Sequence, residues 1–163
     1  MAIPFNANEV FEMAREIERN GAKFYRAAAK KFPQVEVFLM DLASMEDDHE
    51  KTFKKMQDEL VGLEVNPPVF DPDGEADMYL QVMADDHVFD IKTDPSTMLD
   101  TYATPNDVFR MAIGMEKDSI AFYVGLRESV SEKAGKDKID AIIRQEYSHI
   151  VTLSEKLSNL KSM

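Results

Sequence analysis

Hydrophobic residues recur every three to four positions in four long stretches of the chain. The first stretch, about 7–31, carries the stripe Phe11, Ala14, Gly21, Tyr25, Ala28 and Phe32. This period is that of a helix with one buried face. Just before it, Asn6-Ala7-Asn8-Glu9 resembles a capping box, in which a side-chain oxygen and a glutamate three residues later satisfy a helix start. We predict a helix over about 7–31.

Three more stretches have the same period. The second, about 34–60, follows Pro33 and carries Val35, Phe38, Leu39, Leu42, Phe53, Met56 and Leu60. The third, about 105–130, follows the cap residue Thr104 and carries Val108, Ala112, Ser119, Tyr123 and Leu126. The fourth, about 136–160, carries Ile139, Ile142, Leu153, Leu157 and Leu160. Proline suits the first turn of a helix, so Pro33 and Pro105 mark two starts. The pattern predicts an all-α protein with four long helices.

The segment between the second and third helices, about 62–104, differs from the rest. Asn66-Pro67-Pro68 and Asp71-Pro72-Asp73-Gly74 are turn signals, and residues 75–86 predict a short extra helix. Loops of this length without structure are uncommon, so we expect a crossover that runs the length of the bundle and leaves the second and third helices parallel. Ten acidic residues against one basic residue give it a net charge of −9. We interpret this charge as a solvated surface, with steering of cations or of a basic partner as the alternative.

The two halves of the chain resemble each other. Residues 14–25 align with 112–123 at an offset of 98, and residues 46–53 align with 146–153 at an offset of 100. We interpret them as two related helical hairpins.

Charged residues interrupt each apolar stripe at positions that the helical period assigns to the interior. They are Glu18, Glu46, His49, Glu116, Glu146 and His149. Burying a charge without a partner costs roughly several kcal/mol. No lysine or arginine occupies the corresponding positions of the stripes. Two divalent cations would balance the four carboxylates. The alternative is a set of buried glutamates and histidines satisfied by hydrogen bonds alone.

The spacing of these residues also favours metal ions. Side chains three apart on a helix lie about 5–6 Å apart, so a Glu-x-x-His pair can give an imidazole to one ion and share its carboxylate with a second. One glutamate from each of two helices and Glu-x-x-His from each of the other two is the ligand pattern of dimetal carboxylate bundles. The sequence therefore predicts a dimetal site.

Composition narrows the function classes. The 163 residues, 44% of them hydrophobic, suit a single domain spanning 1–163. The chain has no cysteine, which excludes thiolate metal sites, disulfides and a cysteine nucleophile. A net charge of −12 argues against nucleic acid as a partner. Without a leader pattern or an apolar run of roughly 18 residues, we expect no membrane association and a cytoplasmic protein.

The helix order and these six residues, with Phe-Tyr following the lone glutamates, resemble the ferritin-like superfamily and, within it, rubrerythrin-like diiron proteins. The resemblance implies a ferritin-like four-helix bundle with one long crossover and two iron ions per chain, with manganese or zinc as alternatives. It further implies reaction with hydrogen peroxide or dioxygen, a role in oxidative stress, and a homodimer.

Two features depart from rubrerythrins. Rubrerythrins carry a cysteine-ligated rubredoxin domain, which a chain without cysteine lacks. The resemblance therefore implies that the electrons come from a separate donor protein. Rubrerythrins also carry an extra glutamate three residues from the third-helix ligand, where Ile113 and Ser119 stand here. A redox-linked exchange of that carboxylate with a histidine is therefore put in doubt.

Other side chains lie near the predicted site in the sequence. Tyr25 and Tyr123 lie two turns after Glu18 and Glu116, so their hydroxyls are candidates to hydrogen-bond the ligand carboxylates, with aromatic core packing as the alternative. The methionines near the ligand levels are interpreted as core residues: Met13, Met45, Met111 and Met115. Tyr147 is assigned no role, and His87 is interpreted as solvated.

We therefore expect a diiron oxidoreductase of rubrerythrin type. The first alternative is a ferroxidase or iron-storage protein of bacterioferritin type, although the long acidic crossover argues against a storage shell. A second is a non-catalytic metal-binding helical bundle. A metallohydrolase is the weakest, since no His-Glu-x-x-His occurs.

Overall fold

The computed structural model describes residues 6–61, 73–85, 95–101, 104–130 and 135–161, and its regular structure there is helical throughout. The α-helices are α1 (Ala7–Lys31), α2 (Glu36–Val61), α3 (Glu75–Asp85), α4 (Pro105–Glu128) and α5 (Lys136–Lys161). Two 3-10 segments, Pro33–Val35 and Pro95–Thr101, complete the described elements. The prediction of four long helices and one short crossover helix is confirmed.

Two helix starts follow the predicted capping chemistry. The Glu9 amide donates to Asn6 Oδ1 and the Asn6 amide donates to a Glu9 carboxylate oxygen, both at 2.9 Å. Thr104 and Asp107 form the same reciprocal box before α4, whose first residue is Pro105. Each box satisfies two amides that the helix itself leaves unpaired.

The second long helix starts slightly later than predicted. Pro33 begins a 3-10 turn, closed by a bond from the Val35 amide to the Phe32 carbonyl at 3.0 Å, and α2 follows from Glu36 rather than from about residue 34. A 3-10 turn is tighter than an α-turn, which suits the reversal between α1 and α2.

The contacts between helices give their directions. Tyr25 of α1 lies against Glu116 of α4, and Tyr123 of α4 lies against Glu18 of α1, so these two helices are antiparallel. Helix α2 reverses direction after the Pro33–Val35 turn and is therefore parallel to α4. This is the arrangement that a long crossover permits.

The interior contains two apolar clusters, one towards each end of the bundle. The first cluster is formed by Ala7, Val10, Phe11, Ala14, Ile17, Phe53, Met56, Leu80, Phe122, Tyr123, Leu126, Val130, Ile139 and Ile142. The second cluster is formed by Phe24, Tyr25, Ala28, Ala29, Phe32, Leu39, Leu42, Ala43, Leu99, Val108, Phe109, Ala112, Met115 and Leu153. Between them, all four long helices contribute polar side chains to one layer.

The crossover packs back onto the bundle. Tyr79 of α3 donates its hydroxyl to the Ala121 carbonyl of α4 at 2.7 Å. A β-carbon at Gly125 would lie 2.6 Å from the Tyr79 ring, so glycine allows this close approach. The Pro95–Thr101 segment was not predicted, and it buries Leu99 in the second cluster.

Other parts of the crossover, including Asn66-Pro67-Pro68 and His87, lie outside the described residues, as does the side chain of Leu60. Among the described helices, none combines the length and the apolar character that a membrane span requires.

Candidate metal centre

The polar layer sits at the middle of the four long helices. Its six residues are at most 4% exposed: Glu18, Glu46, His49, Glu116, Glu146 and His149. They are the six residues that interrupt the stripes in the sequence, and the fold brings all of them together.

Donor atoms in this layer fall into two overlapping groups. The first group is Glu18, Glu46, His49 and Glu146, and the second is Glu46, Glu116, Glu146 and His149. Within each group the candidate atoms lie within 4.8 Å of one another. Glu46 and Glu146 belong to both groups, so each Glu-x-x-His pair supplies one shared carboxylate and one unshared imidazole.

Both histidines turn Nδ1 towards the carboxylates. His49 Nδ1 lies 3.0 Å from Glu146 Oε1 and 3.4 Å from Glu18 Oε2. His149 Nδ1 lies 3.0 Å from Glu146 Oε2 and 3.3 Å from Glu46 Oε1. The two oxygens of Glu146 therefore face different histidines, as expected for a carboxylate at the centre of a pair of sites.

Several of these buried atoms have no hydrogen-bond partner among the described residues. They are Glu18 Oε2, Glu46 Oε1, both Glu146 carboxylate oxygens, His49 Nδ1 and His149 Nδ1. Buried polar atoms are nearly always bonded, so hydrogen bonding alone does not account for this layer. Carboxylate oxygens and imidazole nitrogens that converge without partners are suited to bind a common metal cation.

Two tyrosine hydroxyls do make bonds in the layer. Tyr25 donates to Glu116 Oε1 and Tyr123 donates to Glu18 Oε1, which confirms that both hydroxyls bond carboxylates of the layer. Each tyrosine reaches the glutamate of the other hairpin rather than that of its own helix. Burial raises the pKa of both phenols well above 10, and the nearby carboxylates raise it further, so both remain neutral donors.

Burial and crowding also shift the carboxyl groups. Burial raises the pKa of Glu18 and Glu116 well above 4.5, and the other carboxylates of the layer add to this. Burial raises the pKa of Glu46, and the charge of Glu146 adds to it. Glu146 is the exception, because the two adjacent histidines hold its pKa below the usual range against the effect of burial. The four carboxyl groups cannot all be charged without cations nearby.

The histidines respond in the opposite sense. Burial lowers the pKa of each imidazole, but the carboxylates of Glu146 and Glu18 raise that of His49 to about 11. Those of Glu116 and Glu146 raise that of His149 to about 12. The nearby carboxylates therefore favour the protonated form of each imidazole, and a metal ion at Nδ1 would displace that proton.

The outer nitrogen of each histidine meets a residue that the sequence reasoning did not assign to the site. His49 Nε2 donates to Gln145 Oε1 at 2.5 Å, and His149 Nε2 donates to Met45 Sδ at 3.1 Å. Met45 is 47% exposed, so its interpretation as a core residue is wrong. Their place in the sequence could have indicated this role, because both residues immediately precede the glutamate of a Glu-x-x-His pair.

The remaining residues near the layer differ in their exposure. Met115 is buried, as the core interpretation predicts, while Met13 and Met111 are half-buried against the apolar clusters. Tyr147 is 65% exposed and points away from the layer, as predicted. Gly21 was assigned only to the apolar stripe, but a β-carbon there would lie 2.8 Å from Glu46 Oε2. Glycine thus leaves room for a carboxylate of the layer.

The family of the chain follows from comparison with known proteins. A family model described as Rubrerythrin matches residues 9–157. The chain belongs to the rubrerythrin family. A solved structure from Thermotoga maritima, described as that of a ferritin-like diiron-carboxylate protein, superposes with a TM-score of 0.71 at 26% identity, covering 97% of this chain and 98% of the other. The comparison with curated proteins gave no match.

These findings confirm the resemblance to rubrerythrins and the ferritin-like fold. In a rubrerythrin-family chain with this fold, the buried glutamates and histidines have the donor set of a metal site. Each of the two overlapping groups combines three glutamates with one histidine, and apolar side chains enclose the layer that contains them.

Proposed function

We propose that the protein is a non-haem diiron oxidoreductase of rubrerythrin type, which reduces hydrogen peroxide or dioxygen with electrons from a separate donor protein. The observation that carries the proposal is the pair of overlapping donor groups that share Glu46 and Glu146. Sharing of two carboxylates suits two adjacent ions, and carboxylate with imidazole suits iron, with manganese or zinc as alternatives.

The residues divide into three sets around the two proposed ions. Glu18 and His49 would hold one ion, Glu116 and His149 would hold the other, and Glu46 and Glu146 would contribute to both. Two divalent ions would balance the four carboxylates, which explains why no cationic side chain is needed in the layer. When bound, a ferrous pair supplies the two electrons that, with two protons, convert hydrogen peroxide to two water molecules.

The rest of the layer would orient these groups and keep solvent away. Tyr25 and Tyr123 fix one oxygen of Glu116 and Glu18, respectively, and the second oxygen of Glu18 has no hydrogen-bond partner among the described residues. Because both phenols stay protonated, each holds a proton at its hydroxyl oxygen within the site. The two apolar clusters exclude water from both ends of the layer.

The electron donor, location and assembly are part of the same proposal. The 163 residues contain no cysteine for a thiolate-ligated iron, so a separate protein would supply the electrons. We place the reaction in the cytoplasm, as a defence against oxidative stress. We also propose a homodimer, in contrast to the large hollow shell of an iron-storage protein.

The test starts from protein purified in air and analysed for metal content. The iron is then reduced without oxygen, and the near-ultraviolet absorbance of the oxidised centre is followed after addition of hydrogen peroxide or, separately, air. We expect about two irons per chain, reoxidised faster by peroxide than by air. Sedimentation should give the mass of two chains of 18.6 kDa each.

Two double variants provide the controls. Glu18→Ala with Glu116→Ala removes two unshared ligands and should abolish the reoxidation signal. Glu36→Ala with Glu155→Ala removes two exposed glutamates and should leave the signal unchanged. Iron that binds but never changes redox state would favour a non-catalytic bundle, and a large shell that accumulates iron would favour storage.

A further inference from the structure

The two histidines of the layer have chemically different neighbours. Met45 and Gln145 occupy equivalent positions of the internal repeat, at the same offset of 100 as the two Glu-x-x-His pairs. Each contacts the histidine of the other pair, so the contacts form a crossed arrangement between α2 and α5. Both halves of the repeat have a contact to histidine Nε2, but the acceptor is an amide oxygen in one half and a thioether sulfur in the other.

An amide oxygen and a thioether sulfur are not equal acceptors. Gln145 Oε1 is a strong acceptor for the Nε2 proton of His49, whereas Met45 Sδ is a weak acceptor for that of His149. A strong acceptor at the outer nitrogen fixes the ring orientation and raises the basicity of the inner nitrogen. Loss of such a partner typically lowers metal affinity about 10- to 100-fold.

Access to the two histidines differs as well. A cavity of about 470 Å³ lies between α2 and α5, and His149, Met45 and Gln145 are among its lining residues. His49 is not among the described residues that line it. The histidine with the weaker acceptor is therefore also the one that borders the cavity.

We propose that Gln145 and Met45 make the two metal positions unequal, so that the ion beside His149 binds more weakly and exchanges faster than the ion beside His49. This inference rests on the metal centre of the proposed function but not on its redox reaction. Gln145 and Met45 would act as positioning residues, through the histidines that they contact.

The test uses Co(II) as the probe, because its binding can be followed by visible absorption without any turnover. The metal-free protein is titrated with Co(II) in competition with a chelator, and loss from the loaded protein is then timed. We expect two binding steps whose affinities differ about 10- to 100-fold. His149→Ala should remove only the weaker step, and His49→Ala only the stronger one.

Exchange of the two acceptors gives the decisive comparison. Met45→Gln should strengthen the weaker step and slow release of the second ion, whereas Gln145→Met should weaken the stronger step. A gain of affinity from Met45→Gln is an effect that loss of structure would not produce. Far-ultraviolet circular dichroism of each metal-free variant checks that the helices are retained.

Two results would overturn the inference. Equal binding steps in the unmodified protein would show that the acceptors do not distinguish the positions. An unchanged weaker step in Met45→Gln would show that the sulfur contact does not set the affinity. If Co(II) does not bind stoichiometrically at all, the metal centre of the proposed function fails as well, which separates that failure from the failure of the inequality alone.

Discussion

The α1–α2 hairpin and the α4–α5 hairpin carry the same donor residues but hold them with different neighbours. Glu18 aligns with Glu116, and the two Glu-x-x-His pairs align with each other. Around them, Gly21 of the first hairpin aligns with Ser119 of the second. The donors of the repeat are the same while the residues that support them have diverged.

The two hairpins also differ on their outer side. In the first, Arg15 Nε donates to Glu50 Oε1 at 2.8 Å, and their side chains are only 17% and 19% exposed. In the second, the aligned positions are Ile113 and Ile150, both half-buried. A largely buried ion pair links α1 to α2 where the other hairpin has two aliphatic side chains.

The residues of the two hairpins are under two kinds of constraint. The chemistry of the layer constrains the candidate donor set, since any lost carboxylate or imidazole would remove a candidate metal ligand. The surrounding contacts need only hold the helices at the right distance, which an ion pair or apolar packing can do equally well. Tyr25 and Tyr123 are under both constraints, because each bonds a carboxyl group of the layer and also joins the two hairpins.

The shared glutamates offer the largest expected effect. Glu146→Ala should remove both ions, because this carboxylate belongs to both donor groups, whereas Glu116→Ala should remove only the ion beside His149. Metal content per chain after dialysis measures the difference. Retention of both ions by Glu146→Ala would contradict the shared role, and Glu155→Ala on the same helix is the control.

The ion pair of the first hairpin comes next. Arg15→Ile leaves the Glu50 carboxylate largely buried without its main partner and should lower the free energy of unfolding by about 2 kcal/mol. Arg15→Ile with Glu50→Ile copies the second hairpin and should recover at least half of that loss. Urea unfolding of the metal-free proteins provides both values. A double variant no more stable than the single one would show that the two hairpins are not interchangeable here.

Most of the fold and the six donor residues could be predicted from the sequence, because helical period is a local property. A glutamate or histidine that falls in an apolar stripe must face the core wherever the neighbouring helices lie. The contacts between hairpins could not be read in this way. That Tyr25 reaches Glu116 instead of Glu18 depends on the axial register of α1 against α4, which no single helix specifies.

The same reason explains the residues that were missed. Gln145 and Met45 are exposed by their helical phase and become part of the site only because α2 and α5 lie side by side. The 3-10 segment Pro95–Thr101 forms around Leu99, which is buried by tertiary contact with the second cluster. Local pattern predicts helices and their buried faces, whereas these features arise from packing.

Loss of either tyrosine hydroxyl should lower the free energy of unfolding by a smaller amount, and by the same amount for Tyr25 and Tyr123. Tyr25→Phe and Tyr123→Phe each remove one hydrogen bond to a buried carboxyl group and should lower the free energy of unfolding of the metal-free protein by about 1 kcal/mol. The raised pKa of Glu18 and Glu116 limits the loss, since each can retain a proton. Thermal and urea unfolding measure it, with Tyr147→Phe as the exposed control. A loss in only one variant would show that the crossed contacts are not equivalent.

The smallest expected effect tests the pair Gly21 and Ser119. Alanine at position 21 favours the helix by up to about 1 kcal/mol over glycine, so the metal-free protein should be no less stable. The added methyl group would nevertheless lie 2.8 Å from Glu46 Oε2, and the flexible end of that side chain must move. Metal affinity should therefore fall, by less than the roughly 10-fold loss that removal of a supporting contact typically causes, while stability holds or rises.

Ser119→Ala is the matched change in the second hairpin. The Ser119 hydroxyl donates to the Met115 carbonyl of its own helix at 3.0 Å, so its removal leaves the carboxylates of the layer in place. Because a serine bond to the i−4 carbonyl adds little to a helix and alanine is the better helix former, neither stability nor metal affinity should fall by more than about 0.5 kcal/mol. Competition titration with Co(II) and urea unfolding, applied to both variants, measure the two quantities separately. Equal losses of affinity at the two positions would mean that the layer responds to any change beside it, whereas a loss confined to Gly21→Ala would assign the effect to the space that glycine leaves for Glu46.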